Sequence, residues 1–126
     1  MDNGKISVAI VGGGETGTPM LRQFLDLDFV DVTGVSDLDA NAPGMQLAQQ
    51  HGIVATANFM DLVTNNSGLD IVIDATGVDD VRQGLRTHLE KTKNSHTVVV
   101  SQVIARLLMS MAQGHLVDLK HDHHGY

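Results

Sequence analysis

Cysteine is absent from this 126-residue chain, and so is tryptophan. Without a thiol there is no disulfide framework, no cysteine nucleophile and no cysteine-based metal centre. That composition is compatible with a reducing compartment, and the cytoplasm is the expected location. Aromatic residues are few, three Phe and one Tyr, so there is little on which single-stranded bases could stack. Basic residues are in the minority: 8 Lys and Arg stand against 15 Asp and Glu, for a formal net charge of -7. They are scattered along the chain, and a nucleic-acid partner, which needs clustered cations at its phosphates, is not expected. Long apolar runs are missing as well. The first one, in "MDNGKISVAIVGGG", breaks at glycine and has no cleavage site behind a long apolar region. Neither a signal peptide nor a membrane span is expected. The length suits one domain with a real core, and no second domain is expected.

Present instead are 13 glycines and a regular succession of apolar segments. "KISVAIV" (5 to 11) is apolar on both alternating sets, as in a parallel strand covered on both faces. A helix follows, with Met20, Leu21, Phe24 and Leu25 at helical spacing and Pro19 in its first turn. "FVDVTGV" (29 to 35) is the second strand, and 42 to 52 is a helix closed by Gly52. A short strand at 53 to 55 and a small helix around "FMDLVTN" lead through "NNSG" to "LDIVIDATG", with Leu69, Ile71, Val72 and Ile73 buried. A helix over 78 to 91 presents Val81, Leu85 and Leu89, and "TVVV" (97 to 100) makes a fifth strand. Strict alternation of strand and helix predicts an α/β fold, a doubly wound parallel sheet of about five strands with helices on both faces.

Three of the glycines, Gly12, Gly14 and Gly17, have the G-x-G-x-x-G spacing, between a predicted strand and a predicted helix. An acid, Asp37, stands at the end of the next strand, 20 residues beyond Gly17. That is the Rossmann-like dinucleotide fingerprint. Gly12 would permit the tight turn, Gly14 would let the backbone approach a pyrophosphate, and Gly17 would let helix and strand pack closely. The helix start offers unpaired N–H groups and the positive end of its dipole. Asp37 would accept from the adenosine ribose hydroxyls and repel a 2′-phosphate, which favours NAD over NADP. The expected seat comprises Gly12, Gly13, Gly14, Glu15, Thr16 and Gly17, with Asp37 and Leu38 beside them and Ala75, Thr76 and Gly77 across the switch point of the sheet. Glu15 adds a negative charge near the phosphates and is expected to point to solvent. A turn that needs glycine for chain geometry alone is the competing reading.

No catalytic or metal-binding residue is expected. Asp74, at a strand end, is read as a cap for the next helix. His115, His121, His123 and His124 crowd a polar tail assigned to 115 to 126, outside a domain assigned to 1 to 114. "HDHH" has no helical pair of imidazoles and no cysteine partner, so a solvated tail is expected. His51, His88 and His96 sit at helix ends or loop edges and need no special role. The last helix, 102 to 113, carries Val103, Ile104, Leu107, Leu108 and Met111 as a wide apolar stripe with Met109 on its flank. One face of it would cover the sheet and the excess would join two copies as a homodimer.

"VAIVGGGETG", "VTGVSDLDANAPGMQLAQQHGI" and "LDIVIDATG" together resemble the cofactor domain of dehydrogenases of the glucose-fructose oxidoreductase type. "DIVIDATG" is also similar to acylating acetaldehyde and homoserine dehydrogenases. The segment "VSDLDANAPGMQLAQQHGI" and the helix "VIARLLMSM" further resemble Rossmann-like domains that precede sensor modules in some bacterial histidine kinases. The resemblance runs to about residue 112. It implies an NAD-binding fold. It also marks departures: the oxidoreductase family has a Glu-Lys-Pro motif after the fifth strand, where this chain reads "VVVSQVIARLL". The large β-sheet domain of that family is not in this sequence, and acetaldehyde dehydrogenases need a cysteine. The expected function is a stand-alone nucleotide-binding domain, NAD(H) foremost, in a sensing or regulatory role without turnover. The alternative is the cofactor-binding fragment or subunit of an NAD-dependent oxidoreductase; a scaffold that has kept the fold and lost the ligand is a third.

Overall fold

The computed structural model describes residues 4–12, 14, 17–64 and 66–117. Five strands alternate with helices: β1 (Ile6–Val11), α1 (Gly17–Leu25), β2 (Val30–Ser36), α2 (Pro43–Gln50), β3 (Val54–Thr56), a 3-10 turn (Phe59–Leu62), β4 (Ile71–Asp74), α3 (Asp79–Lys91), β5 (Val98–Val100) and α4 (Gln102–Gln113). All pairings are parallel, in the order β3-β2-β1-β4-β5. The doubly wound sheet expected from the alternation is what forms, with β1 at its centre.

β1 shows why its residues are apolar on both sides. Val8 and Ile10 enter one core with Met20 and Leu21 of α1, Met45 and Ala48 of α2, and Ala105 and Met109 of α4. Ala9 and Val11 enter the other, with Leu62, Val72, and Val81 and Leu85 of α3. Each fully buried aliphatic side chain contributes about 1.5–3 kcal/mol, so helices that cover both faces are what hold a strand this apolar. Pro43 opens α2, where its missing N–H costs nothing. Gly52, at φ +69, follows the end of the same helix as expected.

Three expectations need correction. β2 runs one residue later than read, from Val30 to Ser36, because Phe29 is 55% exposed and serves through its carbonyl, which accepts from Ile6 N at 2.8 Å. Ile71 is half-buried, since it opens β4 at the rim of the core, while Leu69 before the strand is fully buried. In α4 the roles are inverted. Ala105 and Met109 make the covered face, and Val103, Ile104, Leu107, Leu108 and Met111 remain 42% to 71% exposed. A small residue, Ala105, lets the helix axis approach the sheet, so the bulky stripe turns outward.

Beyond α4 the chain turns at Gly114 and runs back. Arg106 Nε donates to Val117 O at 2.8 Å, Val117 N donates to Ser110 Oγ at 3.0 Å, and the Val117 side chain packs on the core. The segment 115 to 117 thus lies against α4, whereas His121, His123 and His124 lie outside the described residues. Among the described residues no helix is long and apolar enough to cross a membrane. Nor do they hold a group of three side chains suited to a metal ion.

Candidate functional site

The register brings the ends of three strands into line: Val11 pairs with Ser36 on one side and with Asp74 on the other. The next residues, Gly12, Asp37 and Ala75, therefore meet at the carboxyl edge of the sheet. β1 to β3 build outward in one direction and β4 and β5 in the other, so this edge is the switch point where doubly wound sheets open a crevice.

Each motif glycine has its own steric reason. Gly12 has φ +107, donates its N–H to Ser36 O at 2.7 Å, and a Cβ on it would touch Ala75 and Thr76 at 3.4 Å. That places the two sides of the crevice in contact at its floor. Gly17 admits no side chain, because a Cβ would fall 1.6 Å from Gly12 O; the start of α1 sits directly on the turn. Gly14 is different. Among the described residues a Cβ there would meet Asp37 Oδ2 at 3.9 Å, an ordinary van der Waals contact, so the turn lies beside the carboxylate and a methyl would be tolerated between them. Its carbonyl accepts from Thr18 N at 3.0 Å, which ties the turn to the first residues of α1.

Asp37 is 7% exposed. Its N–H donates to Thr56 O at 3.2 Å, which fixes the main chain, and its Oδ1 accepts from Asp39 N at 2.8 Å, which orients the carboxylate. Leu38, next to it, is 61% exposed at the rim. Across the crevice Ala75 N donates to Val11 O at 2.9 Å, and Gly77 takes φ +69 at the surface. Asp74 does not cap α3, contrary to expectation. Its Oδ1 accepts from Thr76 N and Thr76 Oγ1, and it is Thr76 Oγ1 that accepts from Val78 N at 2.9 Å, so the two side chains fold the strand end into a tight turn. Gly13, Glu15 and Thr16 of the expected seat lie outside the described residues.

One residue escaped the sequence reading. Ser36 is fully buried, its carbonyl holds Gly12 N, and its hydroxyl has no partner among the described residues. A buried polar atom without a partner beside a crevice is where an incoming polar ligand or a water satisfies it. Its place just before Asp37, in "VSD", was the available signal. The glycine turn, the carboxylate of Asp37 and this hydroxyl thus bring backbone, a hydrogen-bond acceptor and a hydroxyl to one edge of the sheet.

No protein-family model matches the chain. A search of solved structures finds the NAD-binding protein from Listeria innocua over 88% of this chain and 34% of that one, with a TM-score of 0.57 and 22% identity. This chain is a Rossmann-type domain. The Rossmann domain is also similar to GenD2 from gentamicin A biosynthesis, whose structure is a complex with NAD. That match has 28% identity and a TM-score of 0.50, and covers 59% of this chain and 21% of GenD2. Among curated proteins, acetaldehyde dehydrogenase of Roseiflexus castenholzii is 32% identical over 77 residues, 60% of this chain and 25% of the relative. The Rossmann domain therefore spans about a quarter of the length of the curated relatives it matches.

Proposed function

We propose that this Rossmann domain binds NAD(H), with the pyrophosphate on the start of α1 and the adenosine ribose at Asp37. The observation that carries the reading is the meeting of the glycine turn and the buried Asp37 at the switch point: a Cβ on Gly14 would lie 3.9 Å from Asp37 Oδ2, so a ligand seated on the turn is within reach of the carboxylate. GenD2, similar in sequence as well as fold, is a complex with NAD. Gly12, Gly13, Gly14, Glu15, Thr16 and Gly17 would surround the phosphates, Asp37 and Leu38 the adenosine, and Ala75, Thr76 and Gly77 the far ribose. Bound there, the nicotinamide would supply hydride chemistry; what the chain's own residues do is seat and orient it. Asp37 and Asp74 are each held in local turns by backbone N–H groups, an arrangement suited to binding more than to proton transfer.

The role proposed is sensing or regulatory, in the cytoplasm; the boundary expected at about residue 114 moves to about 117, because Val117 packs on the core, and the histidine-rich segment behind it is proposed as a polar tail. The acetaldehyde dehydrogenase relatives favour a second reading, the cofactor-binding part of an NAD-dependent oxidoreductase. In either case NAD and NADH should raise the melting temperature, with about 2.7 kcal/mol of added stability at a hundredfold excess over the dissociation constant. NADP should shift it far less because Asp37 repels a 2′-phosphate. No shift with NAD, NADH, NADP or AMP would overturn the assignment.

α4 is proposed as the contact between two copies. Its exposed side carries Val103, Ile104, Leu107, Leu108 and Met111, and Arg106 is its one charged residue, bonded to Val117 O. Two chains of net charge -7 repel one another over most of their surface, and an uncharged helix face is where they can approach. Light scattering at micromolar concentration is expected to give a dimer mass, and Leu107→Glu a monomer with the fold retained. A monomer mass for the unaltered chain would exclude the contact.

A further inference from the structure

The parallel strands begin at the edge of the sheet opposite the glycine turn. There a cleft of about 640 Å³ lies between the end of α3 and the turn that leads into β4, large enough for a metabolite. Its lining is unlike the rest of the molecule. Lys93, His88 and His96 line it with Thr64, Asn66 and Ser67, and none of the described residues that line it is acidic. This is a chain in which 15 acids outnumber 8 Lys and Arg. His96 is partly engaged: its Nε2 lies 2.7 Å from Asp70 Oδ1. The Ser7 N–H and then His96 hold the Asp70 carboxyl below the usual carboxylate range. Neither the Lys93 ammonium nor the His88 ring has a partner among the described residues.

Lys93 also breaks a local rule. It is the one described non-glycine residue in the left-handed region, at φ +54. It closes α3 by donating its N–H to Glu90 O at 3.1 Å, while Asn94 N donates to Leu89 O at 2.8 Å. α2 and α4 are followed in the same way by Gly52 at φ +69 and Gly114 at φ +79. Glycine adopts this conformation without strain and lysine does not. The general benefit of a cation at a helix C-terminus is already supplied by Lys91 in the last turn. Local rules broken without local gain mark functional positions, and here the exception falls on a lysine that lines a cleft with no acid in its lining.

We infer that this cleft binds a small phosphate-bearing metabolite, with Lys93 as the charge that meets the phosphate and His88, Ser67 and Asn66 as neighbouring donors. A lysine ammonium is a compact charge suited to phosphate, and Lys93 is among the residues that line the cleft. The site is separate from the glycine turn and does not depend on what binds there.

The test is an NMR titration of the full chain, in phosphate-free buffer, with inorganic phosphate, glycerol 3-phosphate and citrate. Both phosphates are expected to give saturable shifts at Ser67, His88 and Lys93 through Asn94. Lys93→Gly should raise the melting temperature, because glycine fits the cap, yet weaken phosphate binding about tenfold or more, the effect of losing a charge-assisted hydrogen bond. Lys93→Gln, which removes the charge and keeps the length, should weaken it equally. Stability and binding moving in opposite directions is a result that a purely structural lysine cannot give. Unchanged binding in both variants, shifts confined to Gly12 through Gly17, or an equal response to citrate would each overturn the proposal.

Discussion

Gly17→Ala should unfold this protein at markedly lower denaturant. The added methyl would fall 1.6 Å from Gly12 O and 2.8 Å from Gly12 C, and neither is the movable end of a side chain. α1 would have to lift off the turn, and with it Met20 and Leu21, which are buried against β1. Forced displacement of a packed element costs about 3 kcal/mol. For a slope of about 2 kcal/mol per molar urea, the midpoint should fall by about 1.5 M. A midpoint within error of the unaltered protein would mean that the helix does not rest on the turn.

The same motif should give the opposite outcome two positions from the turn's start. Gly14→Ala places a methyl against Asp37, in ordinary van der Waals contact with Oδ2 at 3.9 Å. Gly14 lies outside the left-handed region, so the backbone accepts a side chain. Stability should change by less than about 1 kcal/mol, as for an ordinary surface change. Affinity for NAD should drop about a hundredfold or more, equivalent to about 2.7 kcal/mol, because the side chain takes the path proposed for the pyrophosphate. Calorimetric titration beside a urea curve separates the two effects. A variant that binds NAD as tightly as the parent would place the ligand elsewhere, while one that unfolds would make Gly14 a structural residue like Gly17.

These contrasts explain what was legible in the sequence. The strands were readable because β1 and β4 are apolar on both alternating sets, a pattern that only a sheet covered on both faces tolerates. The glycine turn and Asp37 were readable as a constellation because spacing along strand, turn and helix fixes where they meet. Which glycine is sterically obligatory and which would tolerate a methyl was not, since Gly14 and Gly17 are the same letter and differ only in what lies across from them. The orientation of α4 was misread for a related reason. Its apolar arc is wide, and periodicity alone cannot say which part of a wide arc turns inward; the deciding residue was Ala105, the smallest in the arc. Lys93 gave no signal, because a left-handed backbone angle at lysine is visible only in coordinates.

The crevice has one further consequence, for the order of assembly. Its near wall comes from β1 and its far wall from β4, joined only when Val8 through Val11 pair with Ile71 through Asp74. Contacts so far apart in sequence carry a large loop-closure cost and form late. β1, α1 and β2 can come together while the chain is still being made, but the seat stays half-built until β4 arrives. A dinucleotide therefore cannot template the early steps of folding; it locks a structure that the polypeptide has already completed, and its residence reports on the intact sheet.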